Sequence, residues 1–466
     1  MALQYDTPVS NTEFAAALAA NTSISSTTTE AINSLLGLDT AGSLTVAGWD
    51  GVGPVIAPVG QSPDVLVIDP ANNADLTLPA GTQDTPVVIV DSAAGENVSL
   101  TIGEDASAAR LLATDAVVEG LTQVVVGGAG NDTITVNGST NVLVEGGAGN
   151  DDITTGSGND VIVAGTGTNT VDAGAGNDTI VTGLGTDTID AGAGYDTIDV
   201  QGVSTNFTTS VVGSTLVLTG GSATSTITNA EFVTFADGHN LAIVGTEEEA
   251  EALSLYSALL GRDADAAGAQ NFSEQVKAGT SLEDIANTFL TSAEHFSNLR
   301  ADFLTDVYSS LLGRAADAEG VATWQAQFEA GATRGEVIGA IAGSAEAANV
   351  SNEDFVSALY TSALGRDAEE AGLNNWVSQL ASGASRTEVA DSIYSSAESN
   401  SKINADFVDS LFDNALGNDA NELAKDFAAK ALDGGSVTQA DVVIAVVGQQ
   451  DAQDHITNVI VVPGAV

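Results

Sequence analysis

The amino-acid sequence predicts a multidomain β + α protein. We expect a parallel β-roll or β-solenoid in the N-terminal half and an all-α helical-repeat C-terminal half. Three observations lead to this fold class: a nine-residue glycine-rich repeat, a second repeat of period 52, and a change of charge between them. The predicted segments are an N-terminal helical segment (1–45), a β-rich, solenoid-like region (46–126), a β-roll (127–200), a β cap of the roll (201–246), α-helical repeats (247–440) and a C-terminal tail (441–466).

The composition excludes several classes of function. The 466 residues include 63 acidic and 11 basic side chains, and a net charge of −52 repels phosphate backbones, so we expect no nucleic-acid partner. There is no Cys, which excludes disulfides and thiolate metal sites. No apolar run reaches the ~18 residues of a membrane helix, so we expect no membrane insertion. At 43% hydrophobic residues, the chain is nevertheless expected to fold.

The N-terminal third combines short helices and short strands. Ser10-Asn-Thr-Glu13 is a capping box that predicts a helix with Phe14 and Leu18 on its apolar face, and 29–36 predicts a second helix. Apolar runs separated by Gly, Asn, Asp and Pro then predict strands in a sandwich or an irregular solenoid. Their direct continuation into the glycine-rich repeats favours a stacked solenoid. These strands are expected at 65–68, 76–78, 87–90, 98–102 and 121–126.

The nonapeptide repeat is the most specific signal. Six units run from Gly146 to Asp199, a seventh lies at 127–135, and the eighth position is always Ile or Val. Glycines permit tight turns, and the apolar side chain of each short strand points inward. Two units form one rung, so sixth-position side chains 18 residues apart stack at the ~4.8 Å strand spacing. The sixth positions form one column of Asp160, Asp178 and Asp196, and another of Asp132, Asp151, Asn169 and Asp187.

A column of carboxylates at this spacing requires neutralisation. Hard cations that take six to eight oxygen ligands suit it, Ca²⁺ above all, with carboxylates and backbone carbonyls as ligands. We therefore predict that the seven sixth-position residues bind Ca²⁺, with a weaker site at Asn169. The alternative is a glycine-rich solenoid without metal.

These units resemble the repeats-in-toxin (RTX) family, whose nonapeptide is Gly-Gly-x-Gly-x-Asp-x-U-x, where U is a large apolar residue. The resemblance implies a Ca²⁺-binding parallel β-roll and export by type I secretion through an uncleaved C-terminal signal. The tail 441–466 is the candidate signal, and Met1–Asp6 shows no N-terminal signal peptide. Residues 227–244 resemble the strand pair that closes such rolls.

The second repeat organises the C-terminal half. Arg262, Arg314 and Arg366 lie 52 residues apart, each after Leu-Gly, and a Ser-Ala-Glu triplet recurs in the same phase. A fourth, weaker copy contains Leu416-Gly417. Each unit predicts three short helices, and neighbouring units are expected to stack in an open array and complete each other's cores. The unit resembles a helical repeat family of unknown function found in secreted bacterial proteins, over roughly 250–432.

Several residues of these repeats permit a functional or a structural interpretation. Trp324 and Trp376 lie at helical core positions, which favours packing over sugar stacking. The three arginines favour internal ion pairs over anion binding. Their expected partners are Asp265, Asp317, Glu369 or the glutamates of the Ser-Ala-Glu triplets. The segment 263–274 resembles half an EF-hand loop, but the next two copies lack its final carboxylate, so we expect no calcium there.

The sequence predicts an extracellular or cell-surface structural protein that binds Ca²⁺ and polymerises with itself into a surface layer, fibre or biofilm matrix. The apolar helices at 11–37 and the open ends of both arrays are the expected contacts. The alternative is a calcium-dependent adhesin or glycan-binding protein, with cell-surface polysaccharide or lipopolysaccharide as partner. An enzyme acting on extracellular polymer is disfavoured, since the catalytic motifs sought are missing from the sequence.

Overall fold

The computed structural model describes residues 7–57, 62–70, 74–79, 81–91, 96–103, 120–183, 185–221, 223–417 and 421–463. Residues 1–6 of the predicted N-terminal segment, 104–119 of the β-rich region and 464–466 of the tail lie outside them. The chain divides into two compact units. Unit 1 comprises 1–250, 264–271 and 458–466, and unit 2 comprises 251–263 and 272–457.

Unit 1 is built mainly from short strands. Its described elements up to residue 246 are β1 (Val9–Ser10), α1 (Asn11–Ala20), α2 (Ser26–Leu36), β2 (Ser43–Leu44), β3 (Val46–Trp49), β4 (Val65–Ile68), β5 (Ala74–Thr77), β6 (Val87–Val90), β7 (Val98–Ile102), β8 (Gln123–Gly128), β9 (Thr133–Val136), β10 (Val142–Gly147), β11 (Asp152–Thr154), β12 (Val161–Val163), β13 (Thr170–Asp172), β14 (Thr179–Thr182), β15 (Thr188–Asp190), β16 (Thr197–Val200), a 3₁₀ turn (Ser204–Asn206), β17 (Phe207–Val212), β18 (Thr215–Gly220), β19 (Ala223–Thr228), β20 (Phe232–Phe235) and β21 (Asn240–Val244).

Two parallel sheets run through the predicted solenoid and the predicted roll without interruption. In the eleven-strand sheet, β3-β4-β6-β8-β10-β12-β14-β16 are adjacent, and in the nine-strand sheet β5-β7-β9-β11-β13-β15 are adjacent. The strands β8 and β9, at the predicted boundary near 126, pair in parallel on both sides. The parallel solenoid is confirmed, and 46–126 and 127–200 form one structure.

The aliphatic eighth position of each nonapeptide forms the core between the sheets. Ile153, Ile162, Ile180 and Ile198 are each 0% exposed. Because side chains alternate along a strand, the residues on either side of each Ile or Val point out of this core. A strand of three residues, such as β12, therefore contributes one side chain to this core per rung.

Antiparallel strands follow the last rung. Strands β20 and β21 form an antiparallel pair within the predicted closing segment 227–244, and β17, β18 and β19 extend the nine-strand sheet. The predicted tail contributes β22 (Val459–Val461), which pairs in parallel with β21. The described part of the tail thus includes regular structure.

The N-terminal helices cover the outer face of the eleven-strand sheet. Phe14, Leu18 and Ile32 are at most 1% exposed and share a core with Val65 and Val87. Strands β4 and β6 are therefore buried on both faces, which explains why Val65–Ile68 and Val87–Val90 are apolar throughout. The sequence predicts that the apolar helices at 11–37 contact a second copy of the chain. This prediction is wrong for their buried apolar residues, because those residues pack against strands of the same chain.

The described helices of the C-terminal half are α3 (Glu247–Leu255), a π-helical turn (Tyr256–Leu260), α4 (Ala266–Lys277), α5 (Leu282–Leu290), α6 (Ala293–Val307), a second π-helical turn (Tyr308–Leu312), α7 (Ala318–Glu329), α8 (Arg334–Ala342), α9 (Asn352–Leu364), α10 (Glu370–Ala381), α11 (Arg386–Tyr394), α12 (Ala397–Leu416), α13 (Glu422–Asp433), α14 (Gln439–Val447) and α15 (Gln450–His455). They follow the predicted order of three helices per copy, including the weaker fourth copy. Gly261, Gly313 and Gly365 end the first helix of copies one to three in the left-handed conformation.

The helical copies do not form the expected open array. Helix α12 of the fourth copy contacts the π-helical turn of the first copy, where the Asn414 side-chain amide donates to the Ala258 carbonyl oxygen at 3.2 Å. Helix α5 contacts α14, and α8 packs on α11. The first copy therefore pairs with the fourth and the second with the third, so the four copies form two pairs instead of an open array.

Candidate calcium centre

Glycine turns bring successive rungs of the roll into backbone contact. A Cβ atom on Gly165 would lie 2.0 Å from the Gly147 carbonyl oxygen, and one on Gly174 would lie 2.0 Å from that of Gly156. Both glycines also have positive φ angles, which disfavour side chains. Only glycine permits this stacking. The stacking places the sixth-position side chain of each turn above the sixth-position side chain of the turn 18 residues earlier.

The seven predicted calcium ligands lie in the two predicted columns, with neighbours 18 residues apart except for the 19 residues from Asp132 to Asp151. In one column, the Asp160 N–H donates to Asp178 Oδ1 and the Asp178 N–H donates to Asp196 Oδ1, both at 2.7 Å. In the other, the N–H groups of Asp132, Asp151 and Asn169 donate to the next side chain along. Those distances are 2.9 Å to Asp151 Oδ1, 2.9 Å to Asn169 Oδ1 and 3.0 Å to Asp187 Oδ1.

The second oxygen of every carboxylate in these columns is buried without a hydrogen-bond partner among the described residues. These atoms are Oδ2 of Asp132, Asp151, Asp160, Asp178, Asp187 and Asp196. The residues themselves are at most 2% exposed. A buried carboxylate oxygen without a donor is costly, and several in one column mark a position for a cation.

Burial changes the protonation of these carboxyl groups when no cation is bound. It raises the pKa of Asp178 and of Asp196 to about 7, and that of Asp151 to about 6. The negative charge of Asp160 and Asp196 raises the pKa of Asp178 further, whereas the hydrogen bond from the Asp160 N–H lowers it. The ionised columns are therefore costly without a countercharge.

The residues present fit Ca²⁺. A Cβ atom placed on Gly146 would lie 2.6 Å from Asp151 Oδ2 and 2.8 Å from the Ala164 carbonyl oxygen, so two hard oxygen donors converge where the glycine leaves space. A Cβ atom on Gly127 would similarly meet the Gly146 carbonyl oxygen at 2.3 Å and Asp132 Oδ2 at 3.2 Å. Within the described ranges, no group of three or more His, Asp or Glu side chains is placed to hold a metal ion.

Asn169 differs from the six aspartates in the atom it presents. Its Oδ1 accepts the Asp151 N–H, which leaves Nδ2 as its buried atom without a partner in the described structure. An amide nitrogen donates hydrogen bonds and does not ligate a hard cation. This is a physical reason for the weaker site predicted there.

A second ladder, of asparagines at the fifth repeat position, was missed by the sequence analysis. The Asn150 N–H donates to Asn131 Oδ1 at 2.8 Å, and the Asn177 N–H donates to Asn159 Oδ1 at 2.9 Å. These side chains fasten neighbouring turns on the solvent side. The Asn-Asp pair that recurs in the repeats is the signal that could have revealed them.

The cap closes both columns with residues outside the repeat. The Asp196 N–H donates to Glu231 Oε2 at 2.8 Å, and the Asp187 N–H donates to Ser225 Oγ at 3.2 Å. Glu231 is 9% exposed, so it adds a further buried carboxylate at the end of the column. The nonapeptide period could not reveal Glu231 and Ser225, because the β17–β18 hairpin interrupts the 18-residue spacing.

In the helical unit, the repeated arginines form the predicted internal ion pairs. Arg262 Nε donates to Glu294 Oε1 at 2.6 Å and Nη2 to Oε2 at 2.9 Å, and the guanidinium lies 4.9 Å from the Tyr256 ring centre. The same arrangement recurs at Arg314–Glu346 over Tyr308 and at Arg366–Glu398 over Tyr360. Trp324 is partly buried and donates to the Tyr308 hydroxyl at 2.8 Å.

No helix in the described part of the chain is long and apolar enough to cross a membrane. Comparison with protein families gives two matches. The RTX calcium-binding nonapeptide repeat matches 122–144, 143–171 and 163–198, and the domain of unknown function DUF4214 matches 244–299, 297–349 and 347–403. No curated protein and no solved structure matches the chain. The protein therefore carries Ca²⁺-binding RTX repeats followed by DUF4214 repeats, in the order predicted from its sequence.

Proposed function

We propose that this protein is a secreted structural protein that folds on binding Ca²⁺ and self-assembles into a surface layer, fibre or biofilm matrix. RTX proteins are usually secreted, and both matched families are typically non-catalytic, so we propose a non-enzymatic role. Export by type I secretion, with a signal in the tail 441–466, belongs to the same proposal.

The observation that carries the proposal is the burial of the two carboxylate columns. Asp160, Asp178 and Asp196 cannot be ionised and buried together without a countercharge, so cation binding and folding of the roll become one event. A roll of this kind stays unfolded where Ca²⁺ is scarce, inside the cell, and orders outside, where Ca²⁺ is abundant. This behaviour suits a protein that is exported first and assembled afterwards.

Assembly also needs a means of overcoming charge repulsion. At a net charge of −52 free chains repel one another, and divalent ions at exposed carboxylates lower this barrier. Asp172 and Asp190 illustrate such carboxylates. They are exposed, directly paired in register on neighbouring strands of the nine-strand sheet, and thus favour a bound divalent cation.

The test is assembly of the full chain across a Ca²⁺ titration. We expect light scattering to rise at millimolar Ca²⁺ and negative-stain microscopy to show ordered sheets or filaments. Mg²⁺ at the same concentration, and NaCl at matched ionic strength, control for general screening. A chain that stays monodisperse at high concentration in millimolar Ca²⁺ contradicts self-assembly.

A glycan-binding adhesin is the second candidate. It is favoured by a surface cavity of about 450 Å³ in the helical unit, lined by Trp324, Gln327 and Glu336 among others. An aromatic ring beside polar side chains suits a sugar ring. Binding of cell-surface polysaccharide that is lost in Gln327→Ala, with the helical fold intact, would favour this function.

A further inference from the structure

One stretch of this acidic chain carries no charge. Residues 200–230 contain no Asp, Glu, Lys or Arg, although the chain has 63 acidic side chains. The stretch includes strands β17, β18 and β19, which extend the nine-strand sheet beyond the last rung of the roll. A second copy of the chain can approach this antiparallel extension without direct repulsion between ionised side chains.

Strand β17 is the outer edge of this extension. Among the described residues it pairs only with β18, from Phe207 opposite Gly220 to Val212 opposite Thr215. Residues 208–212 are all exposed, and Val212 is 66% exposed. In an antiparallel sheet, every second residue of an edge strand directs its N–H and C=O groups away from the sheet.

The sequence of β17 lacks the features that usually protect an edge. Phe-Thr-Thr-Ser-Val-Val contains no Lys and no Pro, and Thr, Val and Phe are good strand formers. An unprotected edge of this composition is a template for pairing with another strand.

We propose that β17 is the docking edge for a second copy of this chain, whose own β17 pairs with it in the antiparallel sense. Such a contact has two-fold symmetry and joins the two nine-strand sheets into one. A second copy fits better than a charged partner because both edges are neutral and equally strand-forming. The inference rests on the proposed self-assembly and specifies one of its contacts.

The contact depends on Ca²⁺ through the column that ends in the cap. Ser225 of β19 accepts the Asp187 N–H, and β19 pairs in parallel with β15 of the last rung. Ordering of the roll by Ca²⁺ therefore orders β19, then β18, and finally the exposed edge β17.

Disulfide trapping tests the contact, because the chain has no Cys and a single introduced thiol is unique. We propose the full-length variants Thr208→Cys, Thr209→Cys, Ser210→Cys and Val211→Cys, with Val52→Cys as the matched control at a 90% exposed position. In Ca²⁺ and mild oxidant, covalent dimers should peak at one β17 position and fall off on either side, as antiparallel symmetry requires. Equal trapping at every β17 position would indicate parallel pairing, and equal trapping at Val52 would indicate random collision; either result overturns the proposal.

Charge insertion provides the second readout. Val212→Glu places a carboxylate on the neutral edge, and Val52→Glu adds the same charge elsewhere. In sedimentation velocity at millimolar Ca²⁺, Val212→Glu should weaken dimerisation by about fivefold while Val52→Glu behaves as wild type. Circular dichroism checks that both variants fold.

The outcomes separate this inference from the proposed function. If wild type and Val212→Glu assemble equally, self-assembly stands and the β17 contact is wrong. If the wild-type protein does not assemble in Ca²⁺, both the proposed self-assembly and the β17 contact are wrong.

Discussion

The roll and the helical unit are both built from internal repeats, yet they use repetition in opposite ways. In the roll, equivalent residues stack directly, so Asp160 and Asp178 each meet another Asp 18 positions on. In the helical unit, equivalent residues are kept apart: α8 packs on α11, and Gly335 meets Asp391 while Gly339 meets Thr387. Stacking of like residues accumulates charge and requires a cation, whereas pairing of different residues does not.

The different sources of stability follow from this contrast. Each strand of the roll buries little apolar surface per rung, and the buried columns oppose folding until Ca²⁺ binds. The helical unit has a core of aromatic and aliphatic side chains, including Phe303, Phe355 and Leu359, and fastens its repeats with Arg–Glu pairs. Calcium should therefore control one region and leave the other unaffected.

Removal of Ca²⁺ should produce the largest difference in stability between the roll and the helical unit. Each occupied site stabilises the roll by about 2.7 kcal/mol at a hundredfold excess of Ca²⁺ over Kd, and several sites act together. In chelator, circular dichroism should lose the β signal and keep the helical signal. Calorimetry should show one transition that moves with Ca²⁺ and one that does not. Identical spectra and melting curves in Ca²⁺ and chelator would contradict the claim that Ca²⁺ stabilises the roll and leaves the helical unit unaffected.

More of the roll than of the helical unit could be predicted from the sequence, and the reason is physical. A period of 18 specifies which residues stack, so the columns through Asp178 and Asp187 follow from counting. A period of 52 specifies equivalent residues but not which copies touch, and the pairing of α5 with α14 depends on shape complementarity between distant segments. The same limit applies to Glu231, which completes a column from outside the repeat.

The N-terminal helices show a further limit. The apolar spacing of Phe14 and Leu18 correctly predicted a helix with one buried face, and its N-cap Ser10 accepts the Glu13 N–H as expected. The pattern could not say whether that face meets this chain or another. The apolar runs of β4 and β6 contained the answer, since a strand apolar on both faces needs a cover on each.

Replacement of Asp178 by Asn tests the roll at the centre of a column. Asp178→Asn keeps a side-chain oxygen to accept the Asp160 N–H but removes the charge between Asp160 and Asp196. We expect it to weaken the two Ca²⁺ positions on either side, each worth about 2.7 kcal/mol at a hundredfold excess of Ca²⁺. Calorimetric titration should show fewer bound ions and a lower melting temperature in Ca²⁺. A matched change at exposed Asp152, Asp152→Asn, should have little effect, because its in-register neighbours are Thr133 and Thr170; equal losses would refute the role of the buried columns.

The reverse substitution, Asn169→Asp, should improve the weak position in the other column. A carboxylate there replaces the buried Nδ2 atom with an oxygen that can ligate Ca²⁺. In Ca²⁺ we expect a gain of up to about 2.7 kcal/mol in the free energy of unfolding. At the lowest Ca²⁺ concentration at which the wild-type roll still folds we expect a loss, because a further charge is buried beside Asp151 and Asp187. Thermal unfolding at this concentration and at millimolar Ca²⁺ measures the two effects, and a shift of the same sign in both would contradict the assignment.

The smallest expected effect belongs to the helical unit and should not depend on Ca²⁺. A Cβ atom on Gly335 would lie 2.2 Å from Asp391 Oδ1 and 2.8 Å from the Asp391 backbone nitrogen, so α8 and α11 must move apart in Gly335→Ala. Overpacking of this kind costs about 1–3 kcal/mol, and the higher helix propensity of Ala offsets about 1 kcal/mol of it. Gly434→Ala is the matched control, since its Cβ would lie 3.4 Å from the nearest atom and its φ is −76°. We expect the helical melting transition to fall in Gly335→Ala by the same amount in Ca²⁺ and in chelator, and not to fall in Gly434→Ala. A shift that appears only in chelator would mean that the stability of the helical unit depends on Ca²⁺.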